Sequence, residues 1–552
     1  MNRKLKSALC LAFAGCMLVP MAACKEPDPT DGITLTFTGV IDTDLDILFE
    51  SFEADGVQET YYDNRYTRLY KEELGVNVEY HWVATGWDQK LQKLSLDLVS
   101  GDLADVITFD TLDMAQSAYE DGYTLDLTEL FDEYASDLVK EQANSDSSKI
   151  MMKACTSDDG NLFAIPGFTH ILNQSPLAYI RKDWLDALGM SVPQNREEMI
   201  AVMKAFRDND PDGNGQKDTW GIGITGNFVQ YQGEINGYTE MFGGYPFDWI
   251  ANDDGSEIVY GGTQDGALEG IKFLREMYLG GYIDPEFVQK DCNDLVEDMA
   301  SGKLGLIYAP SWMIENALHT GWVRDNSMEW VYCPIYDEDG LATIHADSFA
   351  RHYIAINKDC KHPEKVIEMI NLYHEMCFGE NDKFDEYYMN EKYPNLWHLS
   401  PIQFVDSREY GCTVYYRECM DIINGTLAYD DAHYVSKMVY DIHQKVEGGA
   451  TYANGGLTLA EWKRYNNFGP NSSVSVLAQY EDEGDYKVSY VYKPTVRTTL
   501  GSLQIDTYIN LITKSNVTVD NVWASFVNNW ASRGGTKQLE EYNAWFESRY
   551  IS

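Results

Sequence analysis

Basic side chains are scarce in this chain: 42 Lys and Arg stand against 88 Asp and Glu among 552 residues, a formal net charge of −46. A field of that sign repels phosphate backbones and anionic headgroups, which excludes nucleic acids and membrane surfaces as partners and disfavours polyanionic ligands unless a basic cleft overrides it. Long hydrophobic runs are missing beyond the first 23 residues, so nothing later in the chain suits a membrane crossing. Common catalytic and phosphate signatures are missing too: there is no GxxxxGK loop, no HExxH and no GxSxG elbow. Gly221-Ile222-Gly223-Ile224-Thr225-Gly226 matches GxGxxG, but it comes after an acidic loop in place of a strand, and Asp210, Asp212 and Asp218 would repel a pyrophosphate there. It reads as strand and turn.

No two cysteines stand at the CxxC spacing of zinc or redox sites. Cys10 and Cys16 fall in the N-terminal leader, and Cys155, Cys292, Cys333, Cys360, Cys377, Cys412 and Cys419 remain in the body, an odd number. The reading is buried thiols, with a Cys412–Cys419 bridge as the alternative, since a chain this long needs no staples. The leader itself is explicit. Asn2-Arg3-Lys4-Leu5-Lys6 is a cationic start, Ala8 to Met21 an apolar run too short for a final anchor, and Met21-Ala22-Ala23-Cys24 ends in small residues before a cysteine. This resembles the lipobox of bacterial lipoproteins, which implies cleavage after residue 23, acylation of Cys24 and a polar tether over 24–32.

What the chain has in excess is rings. Aromatic residues make up 13%, with 38 tyrosines and 13 tryptophans, more than packing ordinarily asks for. An exported protein so equipped can stack ring faces on sugar C–H faces while polar groups take the hydroxyls.

The elements alternate. Ile33 to Thr38 reads as a strand, a helix ends at Leu74-Gly75, Val76 to Tyr80 is a strand, Trp87 to Val99 a helix, Asp105 to Phe109 a buried strand and Leu112 to Tyr119 a helix. Such a β-α series builds a mostly parallel sheet, whose ligands bind beyond the strand carboxyl ends, here near Phe109, Asp110 and Thr111. A second series starts near Leu177 to Ile180; Asn195 and Glu198 form a capping box for a helix faced by Met199, Val202, Met203 and Phe206. Helices over 267–278 and 295–300 and a strand over 304–308 come next. The strand over 352–356 and the helix over 363–373 return to the first unit, and the chain closes on an amphipathic helix carrying Leu539, Tyr542, Trp545 and Phe546.

Asp210-Pro211-Asp212-Gly213-Asn214-Gly215-Gln216-Lys217-Asp218 is the sharpest interior motif. Oxygen donors at alternate positions, with Gly215 at the sixth for the turn, can wrap a hard cation through Asp210, Asp212, Asn214, the Gln216 carbonyl and Asp218. The twelfth position is Gly221, so the bidentate glutamate of a full EF-hand is absent; a single copy points to structural Ca2+. Asn424, Asn471 and Asn516 sit in glycosylation sequons that a bacterial lipid anchor makes incidental. Carboxylates are so numerous that some pair will stand at hydrolase spacing by chance, so a secreted glycoside hydrolase is the alternative function.

Gly86-Trp87-Asp88-Gln89-Lys90, Ser100 to Ile107, Leu162 to Pro166 and Tyr179 to Leu185 then occur in order, and after them Val192 to Asn195, the acidic loop, Met299 to Lys303 and Ala309-Pro310-Ser311-Trp312. Together they resemble the extracellular solute-binding lipoproteins of carbohydrate ABC importers, from Ile33 to about Tyr373. The resemblance implies an α/β, two-lobed periplasmic-binding-protein-like fold of type II with the ligand cleft between the lobes. Lobe 1 would span 33–167 and 348–400, lobe 2 would span 168–347 with the calcium loop, and helical segments over 401–552 would pack on both. It further implies a monomer on the outer face of the cell membrane, without catalysis, that binds an oligosaccharide and delivers it to ABC permease subunits; an amino-acid or peptide ligand is the other option. The expected cleft residues are Trp87, Phe109, Asp110, Trp249, Trp312 and Arg351. In that family the acidic loop binds calcium, and Thr219 stands where a further acidic ligand is common.

Overall fold

The computed structural model describes residues 32–551 apart from 146–147, 169, 230–231, 253, 315–317, 348–349, 380, 391, 394, 404–412, 485 and 491–498, and apart from the side chains of Ser148, Phe168 and Arg351. The leader, Cys24, Cys412 and all of the tether but Gly32 lie outside the described residues. In chain order the strands are β1 (Ile33–Ile41), β2 (Val76–Thr85), β3 (Val106–Phe109), β4 (Ile165–Phe168), β5 (Pro176–Arg181), β6 (Trp249–Ala251), β7 (Ile258–Tyr260), β8 (Leu306–Pro310), β9 (Trp330–Cys333), β10 (Ile344–Asp347), β11 (Ala350–Ile356) and β12 (Tyr486–Ser489).

The first unit is built on the sheet β2-β1-β3-β11-β4, in which β1 is parallel to β2 and β3 while β11 is antiparallel to β3 and β4. The central strand β3 buries Val106, Ile107 and Phe109 completely, as a strand covered on both faces must. Its helices start and stop on local chemistry. Asn64 caps Arg65–Leu74 in a capping box with Thr67, and Gly75 at φ 67° ends it where a side chain would be strained. That helix drives Tyr66 and Tyr70 into the core, where Tyr66 stacks on Tyr373 at 5.7 Å. Core residues come from Leu35 to Ile165 and again from Ala350 to Ile402.

In the second unit the expected continuation of a parallel series gives way to antiparallel pairing: β5 runs antiparallel to both β8 and β9. A wholly buried apolar strand such as Leu177-Ala178-Tyr179-Ile180 reads the same in either direction, so its pairing is set by the connections. The stretch 221–226 is irregular backbone with no strand; Gly221 there lies so close to Met203 that a Cβ would meet its carbonyl oxygen at 2.3 Å.

The C-terminal stretch does more than lay helices on the surface. β12 enters the sheet β10-β12-β6-β7, parallel to β10 and antiparallel to β6. Trp530 stacks on Tyr260 at 4.9 Å, and Tyr542 meets Trp249 edge-on at 4.5 Å, so residues from Trp462 to Phe546 complete a core begun by Ile171 to Ala346. The last turn then reaches the first unit: the Tyr550 hydroxyl donates to the Ile150 carbonyl at 2.7 Å and Arg549 pairs with Asp158. Cys419 is buried; the Cys412–Cys419 alternative involves Cys412, which lies outside the described residues. Among the described residues no helix is long and apolar enough to cross a membrane.

The chain passes between the units after β4 and again from β10 to β11. Asp347 and Ala350 are three residues apart, so their Cα atoms stand within about 11 Å.

Candidate functional site

β1, β2 and β3 are parallel, so the residues immediately after them, Asp42, Gly86-Trp87 and Asp110, share one edge of the first sheet. Gly86, at φ 83°, turns the chain there and starts the helix Trp87–Ser100. Trp87 is 38% exposed, and the Lys90 ammonium lies 5.1 Å from its ring centroid while pairing with Asp110. Trp87 and Lys90 line a cavity with Thr38, Asp42, Tyr61, His352, His398 and Gln403; His352 Nε2 lies 2.8 Å from the Gln403 carbonyl. The enclosed space is only about 40 Å³, room for a few waters. Its lining comes from the first unit's two segments, before β4 and after β10.

Trp312 comes after β8 and is half-buried, on the second unit's side of the crossings. Arg351 lies on β11, its side chain outside the described residues. Two expected cleft residues are core instead. Phe109 is 0% exposed, packed between the strands and helices of the first unit, and Trp249 is 1% exposed against Tyr260, Trp530 and Tyr542.

A polar group that no motif signals lies in the second unit near the same crossings. His345 on β10 receives a carboxylate twice from Glu240: at its backbone N–H (2.9 Å) and at Nδ1 (2.5 Å). Asn236 Nδ2 donates to Asp248 Oδ2 at 3.2 Å, and Asp248, His345 and Asp347 bring ligand-type atoms within 4.8 Å of one another. Gly237 allows this arrangement: a Cβ there would stand 2.3 Å from Tyr308, so only glycine lets Asn236–Glu240 lie on that ring. Burial pushes the Asp248 carboxyl up to about 7; His345 opposes this, and Asp347 and Glu240 add to it. Burial opposes the imidazolium of His345 as well, but Asp248, Glu240 and Asp347 outweigh it and hold its pKa well above the ordinary value.

Both shifts favour the protonated native state. Their stabilisation is complete below the unfolded values, 3.8 for Asp248 and 6.5 for His345, and is lost as pH rises through the raised folded values. The melting temperature should therefore fall between pH 5.5 and 8, and Asp248→Asn should flatten that fall. Equal slopes for the two proteins in calorimetry would contradict this account.

The acidic loop leaves the helix Arg196–Asp208 in a tight wrap, with Asp210 at φ 49° and Gly213 and Gly215 at 69° and 81°. Gly215 N–H donates to Asp210 Oδ2 at 2.9 Å and Gln216 N–H to Asn214 Oδ1 at 2.7 Å, while Asp210 Oδ1 is buried without a hydrogen-bond partner. Burial, together with Asp210 and Asp218, raises the Asp212 pKa despite the bond from the Asn214 backbone. The oxygen donors and the orphaned Asp210 oxygen fit a hard cation. Thr219 takes no part; its hydroxyl donates to the Phe206 carbonyl at 2.6 Å.

Two α/β units joined by paired crossings give the periplasmic-binding-protein-like fold. The chain belongs to the bacterial extracellular solute-binding protein family, whose profile matches residues 49–373. It is 27% identical over 253 residues to the fructooligosaccharide ABC transporter substrate-binding protein FusA of Streptococcus pneumoniae serotype 4 (strain ATCC BAA-334 / TIGR4), covering 43% of this chain and 45% of that one. It is 23% identical over 219 residues to the polygalacturonan/rhamnogalacturonan-binding protein YtcQ of Bacillus subtilis (strain 168), covering 39% and 41%. These sequence matches thus span less than half the length of either relative. The structure of FusA with kestose is similar at a TM-score of 0.58 and 17% identity, over 93% of this chain and 99% of that one, and an EF-hand mutant of FusA with fructo-nystose is similar at 0.57. An HMO-binding, ABC-transporter-associated solute-binding protein from Bifidobacterium longum infantis reaches 0.62 at 17% identity, over 94% and 99%.

Proposed function

We propose that this protein captures an oligosaccharide outside the cell, held to the membrane by an acylated Cys24, and delivers it to the permease of an ABC importer. The observation that carries this reading is an exposed ring with a polar edge, Trp87, Lys90 and Asp110, on the first unit, with the half-buried Trp312 just past β8 on the second. Rings beside hydrogen-bonding groups suit sugars, and FusA, named for fructooligosaccharides, supports that ligand class. Closing the two units on ligand would couple binding to a change of shape that a permease can read. The protein acts without catalysis, as a monomer.

The test is titration of the full chain against an oligosaccharide panel, with products tracked by chromatography and shape by X-ray scattering. Stoichiometric binding with compaction and no cleavage is the expected result. Multiple-turnover cleavage, lost on replacing Asp110, would establish the glycoside hydrolase alternative instead.

Asp210, Asp212, Asn214, the Gln216 carbonyl and Asp218 would hold Ca2+ for structural support, consistent with an EF-hand being recognised in FusA. A cation that binds only the folded state adds about 2.7 kcal/mol at a hundredfold its dissociation constant, or roughly 5–11 °C in a unit of this size. Chelation should lower the melting temperature, calcium should restore it, and Asp212→Ala should abolish the difference. No response to chelator, and no calcium in the purified protein, would reduce the loop to an acidic turn.

A further inference from the structure

We propose that the buried group of Glu234, Asn236, Glu240, Asp248, His345 and Asp347 is a ligand subsite that takes an uncharged, hydroxyl-donating sugar and rejects sugars bearing carboxylates. This rests on the oligosaccharide-binding reading above and narrows its ligand class.

The group is rich in carboxyl oxygens. Four carboxyl groups surround one imidazole and one amide, burial raises the pKa of Glu234 and Asp248 toward the neutral form, and Glu240 and Asp248 are 1% and 8% exposed. Among the described side chains no Lys or Arg pairs with any of the four; the ion pair within the group joins His345 to Glu240. Glu234 and Glu240, both more than nine-tenths buried, each keep one oxygen, Oε1 and Oε2, without a hydrogen-bond partner. A buried acceptor left unmet is costly. Sugar hydroxyls supply the donors such oxygens lack, and adjacent hydroxyls can bridge both oxygens of one carboxylate.

Asp347 is the one member of the group that is not buried, so a ligand would meet the group there. Asp347 is half-buried and begins the short link that enters the first unit at Ala350. The Ser175 hydroxyl donates to the His345 carbonyl at 2.6 Å, and Pro176 next to it pairs with Pro310, two residues before Trp312. The second unit thus brings an acceptor-lined wall and an aromatic ring to the same pair of crossings, the combination that orients a sugar by its face and its edge.

The same chemistry sets the selectivity. A uronic acid would bring a charged carboxylate into a desolvated site beside Glu240 and Asp347, where burial already drives Glu234 and Asp248 toward the neutral form, and its charge would be buried without a cation to pair it. The chain-wide charge of −46 adds repulsion at longer range. A divalent cation would also relieve the crowding, since three ligand-type atoms lie within 4.8 Å. However, His345 is committed through Nδ1 to Glu240 at 2.5 Å, which leaves only Nε2 to reach a cation.

Calorimetric titration of the full chain with neutral fructo-, gluco- and galacto-oligosaccharides, beside oligogalacturonides and alginate oligomers, tests this without any variant. The expected result is that at least one neutral series binds and the uronates bind at least about 100-fold more weakly. Asp347→Asn, checked for folding by its melting curve, should weaken the neutral ligand by about 10-fold or more. Preferential binding of uronates would overturn the proposal while leaving the protein an oligosaccharide binder, and an unchanged affinity in a folded Asp347→Asn would overturn the assignment of this group. If no oligosaccharide of either kind binds, both this proposal and the reading beneath it fail. Mn2+ or Zn2+ binding that Asp347→Asn removes and Asp212→Ala does not would make the group a cation site and overturn the proposal.

Discussion

Trp249→Ala should destabilise the protein by about 3–5 kcal/mol, the usual cost of emptying a buried large-ring site, while leaving the ligand affinity of the folded fraction unchanged. The ring stands in a cluster with Tyr260 at 4.7 Å, Trp530 at 6.1 Å and Tyr542 at 4.5 Å. Two of those partners arrive from the C-terminal helices, so the cavity would loosen the seam that joins the tail to the second unit. At roughly 2–4 °C per kcal/mol the melting temperature should drop by about 6–20 °C. A melting temperature close to wild type combined with lost ligand affinity would return Trp249 to the ligand's side.

Trp312→Ala should do the reverse. The half-buried ring stands just past β8 at the crossings, and Tyr179 beneath it anchors the turn, its hydroxyl donating to the Pro310 and Ser311 carbonyls at 2.7 and 2.9 Å. The backbone there is held without the indole. Removing an aromatic anchor from a binding surface commonly costs about 2 kcal/mol or more, about a 30-fold loss of affinity. The tightest oligosaccharide of the panel should weaken by that order with little change in melting. An unchanged affinity would remove Trp312 from the site.

The contrast between these tryptophans marks what local sequence carries. The period-two pattern of β1, the cap at Asn64 and the glycines ending Arg65–Leu74 and Trp87–Ser100 are short-range instructions, and they fold as written. So does Asn195, which receives Glu198 N–H at 2.9 Å, although the returning Glu198 carboxylate takes Gln194 N–H in place of the cap's own. Pairings that depend on distant partners are not written locally. Nothing near Trp249 tells of Trp530 or Tyr542, and nothing in Tyr486-Lys487-Val488-Ser489 tells of pairing with β10. Glu234, Asn236, Glu240, Asp248, His345 and Asp347 come from separate stretches with no motif spacing, and only Asp347 is marked in the sequence, as the edge of a crossing. Trp87, Lys90 and Asp110 are more legible, because parallel strands bring the residues beyond their carboxyl ends to one edge.

The order in which the core residues occur along the chain has a consequence for biogenesis. The first core waits for residues from Ala350 to Ile402, and the second waits for β12 and the rings from Trp523 to Phe546. Neither unit can close on a nascent chain until most of it has been made, and the second cannot until nearly the last turn emerges. A chain whose cores are completed this late suits threading through a narrow channel before it folds.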